Sequence, residues 1–85
     1  MRVVLYTTLD PCPLCVDGWL AVDALAARVG FVFEEVAVET DPDLAGRLRE
    51  RVPVLEIDGR EVACGRFDPV VLEGALRRAR VAGSA

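Results

Sequence analysis

The sequence predicts an α/β domain whose elements run β-α-β-α-β-β-α, with a four-stranded mixed sheet and helices on both faces. Three observations predict it. Short apolar runs rich in β-branched residues alternate with segments whose apolar residues recur every three or four positions. Two of the helical segments open on an acid followed by proline, Asp41-Pro42 and Asp68-Pro69, the chemistry of an N-cap and first helical position. Asp58-Gly59 stands between the last two apolar runs and has the composition of a two-residue hairpin. A right-handed βαβ unit then sets the first two strands parallel, and the hairpin adds the other two.

Arg2 to Thr7 reads as a buried first strand, closed by the polar pair Thr7-Thr8. From Cys15 onward, Trp19, Val22, Ala26 and Val29 follow at helical spacing, and Gly30 ends the helix. Asp17, Ala21, Ala24 and Arg28 fall on the opposite side and are expected to face water. Trp19 lies on the apolar stripe, so core packing is expected ahead of a substrate-facing role. Phe31 to Val38 reads as the second strand. Asp41 caps a short helix that extends to Arg51, with Arg47, Arg49 and Arg51 complementing the negative end of its dipole.

Val52 to Ile57 is the third strand and Glu61 to Cys64 the fourth. Pro53 cannot donate to a ladder, so it must sit at a strand start, an edge or a cis turn. Asp68 caps the last helix, Phe67 is placed to staple onto Leu72, and Leu72, Ala75, Leu76 and Ala79 form its inner face. Arg77, Arg78 and Arg80 make its basic end. Residues 1–85 are expected to form one domain, with 81–85 a frayed tail.

The chemistry centres on Asp10-Pro11-Cys12-Pro13-Leu14-Cys15. Residues i and i+3 at a helix start share a face, so these sulfurs can meet and bond. The unpaired N–H groups and positive dipole end of that helix favour a thiolate, the species that attacks disulfides. Pro13 suits the first helical position, where a missing N–H costs nothing. Two other readings stand beside the redox one: a structural disulfide, and a metal shared between chains. A four-coordinate zinc site built from N and S ligands within one chain is excluded, because the sequence has no histidine and only Cys64 besides this pair. Cys64 itself reads first as a small core residue, and alternatively as a second resolving thiol or a glutathionylation site.

Composition narrows the class further. Apolar residues make up 53% of the 85, enough for a single small core. No apolar run approaches the length of a membrane span, and none of the N-terminal pattern of a secretory signal follows Met1. A cytoplasmic location is therefore expected, which an odd number of cysteines also fits. The formal charge of −4 argues against a general nucleic-acid partner, and a monomer is expected. All ten basic residues are arginine, so any bound anion must be held by guanidinium or backbone N–H groups.

In order along the chain, Cys12-Pro13-Leu14-Cys15, Val52-Pro53, Asp58-Gly59 and Gly65-Arg66-Phe67-Asp68 resemble the motifs of glutaredoxin-like proteins, the glutaredoxin branch of the thioredoxin-like fold. The set spans nearly the whole chain and is closest in kind to the small bacterial glutaredoxin-like domains. The resemblance implies a thiol–disulfide oxidoreductase acting on protein or low-molecular-weight disulfides. It makes Cys12 the attacking thiol and Cys15 the resolving one, with Pro13 and Leu14 in support. Pro53 becomes a cis-proline beside the sulfurs, and the backbone of Val52 pairs with a bound thiol substrate. Gly65, Arg66 and Asp68 correspond to the loop and helix start that hold a γ-glutamyl carboxylate, and Arg51 to a group that assists the glycyl carboxylate. Arg66 also reads simply as a surface residue.

Departures from the pattern bear on the electron donor. Thr7-Thr8-Leu9-Asp10 carries an acid where glutathione-using members usually have lysine, Leu14 replaces an aromatic, and Cys64-Gly65 replaces a glycine pair. No bound cofactor is expected. Glutathione is expected to serve weakly as co-substrate, with a thioredoxin-type reductase as the rival donor. An arsenate reductase would want an arginine soon after Cys12, and none is there. Two readings from other classes remain: a non-catalytic binding module using the Val52-Pro53 edge and the Arg66 loop, and an iron–sulfur carrier pairing two chains through Cys12.

Overall fold

The computed structural model describes residues 1–84, with side chains described for 1–81. Four strands, β1 (Val3–Thr7), β2 (Phe33–Ala37), β3 (Val54–Ile57) and β4 (Arg60–Cys64), form one sheet in the order β2-β1-β3-β4. β1 and β2 run parallel with Val3 opposite Phe33, while β3 is antiparallel to both β1 and β4. Three helices, α1 (Pro13–Leu25), α2 (Pro42–Leu48) and α3 (Pro69–Ser84), complete the predicted order. No helix among the described residues is long and apolar enough to cross a membrane.

The period-2 alternation of β1 distributes the core between the two faces of the sheet. Val3 and Leu5 point one way, with Leu55 and Ile57 of β3, and meet Val22 and Leu25 of α1 and Leu72 and Leu76 of α3. Tyr6 and Val54 point the other way, onto Val38 and onto Leu44 and Leu48 of α2. The larger cluster therefore clamps α1, and with it both cysteines at its start, against the sheet.

Local chemistry sets the boundaries. α1 begins two residues ahead of the periodic stripe, and its regular part stops at Leu25. The chain continues through a π-helical turn, Ala26–Gly30, in which Phe31 N–H bonds to Ala26 C=O at 3.3 Å. β2 is shorter than the apolar run because β1, its only partner, ends at Thr7 opposite Ala37. Val38–Thr40 then forms a 3₁₀ turn. Asp41 accepts from Asp43 N–H at 2.8 Å, as an N-cap should. α2 stops at Leu48 rather than at Arg51, where the chain tightens into a turn: Arg49 N–H still bonds to Ala45 C=O, but Arg51 N–H bonds to Leu48 C=O at 2.8 Å. The Val52-Pro53 bond is cis, and β3 starts only after it.

Asp58 and Gly59 both have positive φ, 52° and 82°, the conformation a two-residue hairpin of this type demands. Asp68 accepts from Val70 N–H at 2.9 Å, and Phe67 packs in the cluster that contains Leu72. α3 continues through Ser84, so helical structure extends into the segment expected to fray; Ala85 lies outside the described residues. The expected core position of Cys64 is corrected: it is the last residue of β4, at the sheet edge, and is exposed.

Candidate active site

Cys12 and Cys15 are joined by a disulfide across a Cα–Cα distance of 5.2 Å. Cys12 is the N-cap of α1, with extended backbone, φ −147° and ψ 90°, and Pro13 takes the first helical position. The Cys15 N–H donates to Cys12 Sγ at 3.1 Å and to Cys12 C=O at 3.0 Å. An N-cap side chain normally supplies an oxygen to this N–H; here a sulfur does so, which places any charge on Cys12 at the positive end of the helix. Cys12 is half-buried, whereas Cys15 is only 6% exposed. The outer sulfur can thus be reached by another molecule, and the inner one only through its partner. Leu14 and Pro13 are exposed beside them.

Pro53 is fully buried, and its C=O accepts from Gly65 N–H at 2.8 Å, which ties the start of β3 to the loop before α3. Gly65 has φ 72°, a left-handed conformation that glycine adopts without strain. Gly18, one turn beyond Cys15, admits this junction: a methyl there would lie 3.0 Å from Pro53 Cγ and 3.1 Å from Phe67 Cε2. Leu14, Asp17, Gly18, Gly65, Arg66 and Phe67 surround a small cavity of about 110 Å³, with Arg66 exposed at its edge. Pro53, Gly65 and Arg66 are therefore assembled along one side of the cysteine-bearing helix. Asp68 caps α3 directly behind, and Val52 is half-buried against Val54 and Leu48.

Arg51, the residue just before Val52-Pro53, is engaged within the chain. Its guanidinium pairs with Glu61 and lies 3.8 Å from Cys64 Sγ, at the β4 edge. These contacts, Glu61 first, raise its pKa further, so it stays protonated but already engaged.

The loop entering Cys12 holds what the sequence reading missed. Arg49, just past α2, donates to Asp10 Oδ2 at 3.1 Å, so the acid ahead of the cysteines has its own counter-charge. Thr8 Oγ1 and Leu9 N–H both donate to Glu39, the latter at 3.0 Å, and Thr8 Oγ1 accepts from Asp10 N–H at 3.2 Å. The Thr8 hydroxyl, and after it the Leu9 N–H, hold the Glu39 carboxyl below its ordinary value.

A cleft of about 420 Å³ opens on the other flank, lined by the two cysteines, Thr7, Trp19, Leu20 and Glu35 among others. Trp19 is half-buried and packs on the main core, as expected, with its ring edge-on to Phe33 at 6.0 Å; it also lines this cleft. The readable signal was Val16 and Leu20, an i,i+4 apolar pair lying off the inner stripe.

The family model described as Glutaredoxin-like domain (DUF836) matches residues 2–77. A structural-genomics target protein from X. campestris, solved by X-ray crystallography, is 32% identical with a TM-score of 0.74, covering 91% of this chain and 97% of its own. A protein of Nitrosomonas europaea, solved by NMR, is 25% identical with a TM-score of 0.73, over 88% of each chain. Glutaredoxin from Brucella melitensis shares the fold at a TM-score of 0.53 and 24% identity, over 98% of this chain and 86% of its own. No curated protein matches the sequence.

Proposed function

The chain belongs to the glutaredoxin-like domain family (DUF836), and from that premise we propose that it is a thiol–disulfide oxidoreductase working through Cys12 and Cys15. The observation that carries the reading is the Cys15 N–H aimed at Cys12 Sγ at the start of α1. In the reduced protein the same N–H and the same helix end stabilise a Cys12 thiolate. That thiolate attacks one sulfur of a substrate disulfide, forming a mixed disulfide and expelling the other sulfur as a thiolate. Cys15, deprotonated in turn, attacks Cys12 Sγ; the intramolecular disulfide forms and the second substrate thiolate leaves. Two electrons pass to the substrate, and the two protons lost by the cysteines end on its thiols.

The other side chains position these steps. Pro53, locked between Gly18 and the Gly65 loop, keeps the start of β3 at a fixed distance from α1, and the Val52 backbone beside it pairs with an extended substrate. Burial of Cys15 delays its attack until Cys12 has reacted. The cycle closes when a thiol donor reduces Cys12–Cys15. Glutathione, held by Arg66 and the N–H groups at the start of α3, is one donor; a thioredoxin-type reductase is the other, and the engagement of Arg51 by Glu61 favours it. A monomer in the cytoplasm suits a protein with an exposed free thiol at Cys64.

The test is donor-coupled turnover of a small neutral disulfide, with glutathione plus glutathione reductase or with a thioredoxin reductase. Turnover with at least one donor, abolished by Cys12→Ser, is expected. Absence of turnover with both contradicts the reading.

A further inference from the structure

The cleft on the β2 flank has no part in the exchange steps, yet both cysteines line it. Its volume, about 420 Å³, falls within the range of sites that accept small ligands or large side chains. One wall is apolar. Val16 and Leu20 stand 59% and 55% exposed along α1, next to Trp19, whose ring is fixed edge-on by Phe33. Thr7, at the floor, is buried, and its hydroxyl is already donated to Glu35 at 2.8 Å.

The charge around this cleft has one sign. Glu35 appears in none of the ion pairs among the described residues, its hydrogen bond from Thr7 being to a neutral group. Asp10, on the rim, is paired with Arg49, but Arg49 also faces Glu39. No arginine lines the cleft. An anionic thiol such as glutathione finds here neither a cation nor a free donor on the floor, while a cationic group finds Glu35.

We propose that this cleft is a specificity site for polypeptide substrates, taking an apolar side chain beside the target cysteine and pairing a neighbouring basic side chain with Glu35. This rests on the oxidoreductase reading and adds its substrate class: disulfides in apolar, basic segments. Apolar contact with Trp19 and Leu20 supplies the anchor, and opposite charge selects the partner and speeds encounter. A polypeptide substrate would then be gripped from both sides of Cys12, its backbone along Val52 and a neighbouring side chain by Trp19, whereas a small thiol uses the Arg66 side alone.

The test uses the full reduced chain and two synthetic peptide disulfides of equal length, one with leucine and arginine flanking the cysteine and one with serine and aspartate. A small neutral disulfide is run alongside. The ratio of the second-order rate constants for single-turnover reduction of the two peptides is read, so that effects common to all substrates cancel. Wild type is expected to favour the leucine–arginine peptide about tenfold at low salt. Near 1 M salt the Debye length falls to about 3 Å, and the charge-dependent part of the ratio should vanish. Glu35→Gln should remove that same part at low salt, and Leu20→Ser should lower the salt-resistant remainder. Both side chains are exposed, so neither change removes a core contact. A wild-type ratio near one, or a ratio unmoved by either variant, overturns the proposal while leaving the oxidoreductase reading intact, provided the neutral disulfide is turned over. Failure to turn over the neutral disulfide overturns both.

Discussion

Cys15 N–H points at Cys12 Sγ from 3.1 Å, so the residue that resolves the exchange also supplies a backbone donor to the residue that starts it. The two thiols are thereby made unequal by position alone. When the reduced protein is treated with a limiting alkylating reagent and the label is mapped, Cys12 should be modified ahead of Cys15, which is 6% exposed. Cys64 is exposed as well, but it lies at the end of β4 and not at a helix start, so it should be labelled after Cys12. First labelling at Cys15 would reverse the assignment.

Gly18 and Gly46 make a matched pair. Both lie inside helices, where glycine-to-alanine replacement is worth about 0.5–1 kcal/mol in favour of the fold when there is room. Around Gly46 nothing lies within 4 Å, so Gly46→Ala should stabilise by that amount. At Gly18 the new methyl meets Pro53 at 3.0 Å and Phe67 at 3.1 and 3.3 Å. Pro53 is fully buried and held by Gly65, so it cannot yield easily. Overpacking of this kind costs about 1–3 kcal/mol, which outweighs the helix gain. Thermal melts should show Tm rising for Gly46→Ala and falling for Gly18→Ala, by roughly 4–8 °C per kcal/mol.

The order of elements was legible because strand runs, caps and the hairpin each carry local chemistry: Asp41, Asp68 and Asp58-Gly59 all do in the structure what their composition implies. The cysteines at a helix start were legible for the same reason. What escaped is long-range. Nothing near Asp10 in sequence announces Arg49, 39 positions away, and nothing near Arg51 announces that Glu61 will claim it. Cys64 was misplaced because an apolar run gives no sign of which strand residue ends at the sheet edge. The second cleft brings together Thr7 of β1, Glu35 of β2 and Trp19 and Leu20 of α1, and only the off-stripe pair Val16 and Leu20 hinted at it.

Glu39 braces the loop that leads into Cys12, through Thr8 Oγ1 and Leu9 N–H. Its carboxyl is held below the ordinary 4.5, chiefly by the Thr8 hydroxyl. A depressed folded-state value means that the stabilisation is complete above the unfolded value and is lost as pH falls through the lowered one. Melting curves of wild type and Glu39→Gln should therefore differ most near neutrality and converge in acid as the pH falls through the lowered value. A difference that grows on acidification would contradict this role.

Glutathione use should be weak, because Arg51 is engaged by Glu61 and Asp10 stands ahead of the cysteines. A lost charge-assisted hydrogen bond costs about 1.5–3 kcal/mol, roughly ten- to a hundred-fold in affinity. Glu61→Gln, which weakens the competitor for Arg51, and Asp10→Lys, which reverses the charge, should each raise glutathione-dependent turnover of a small mixed disulfide. The gain should shrink as salt is added. Strong wild-type activity at high salt, unimproved by either change, would remove this account of donor choice.

The central claim is that Cys12 attacks and Cys15 resolves, and trapping the intermediate tests it most directly. Cys15→Ser retains the N-cap thiol but cannot complete the second displacement. Reduced Cys15→Ser protein should therefore be mixed with a disulfide peptide and its intact mass and adduct site measured. The account predicts one peptide per chain, held in a reducible bond at Cys12, and no such accumulation in wild type. An adduct carried by Cys64 alone, or no adduct under conditions where wild type turns the peptide over, would contradict it.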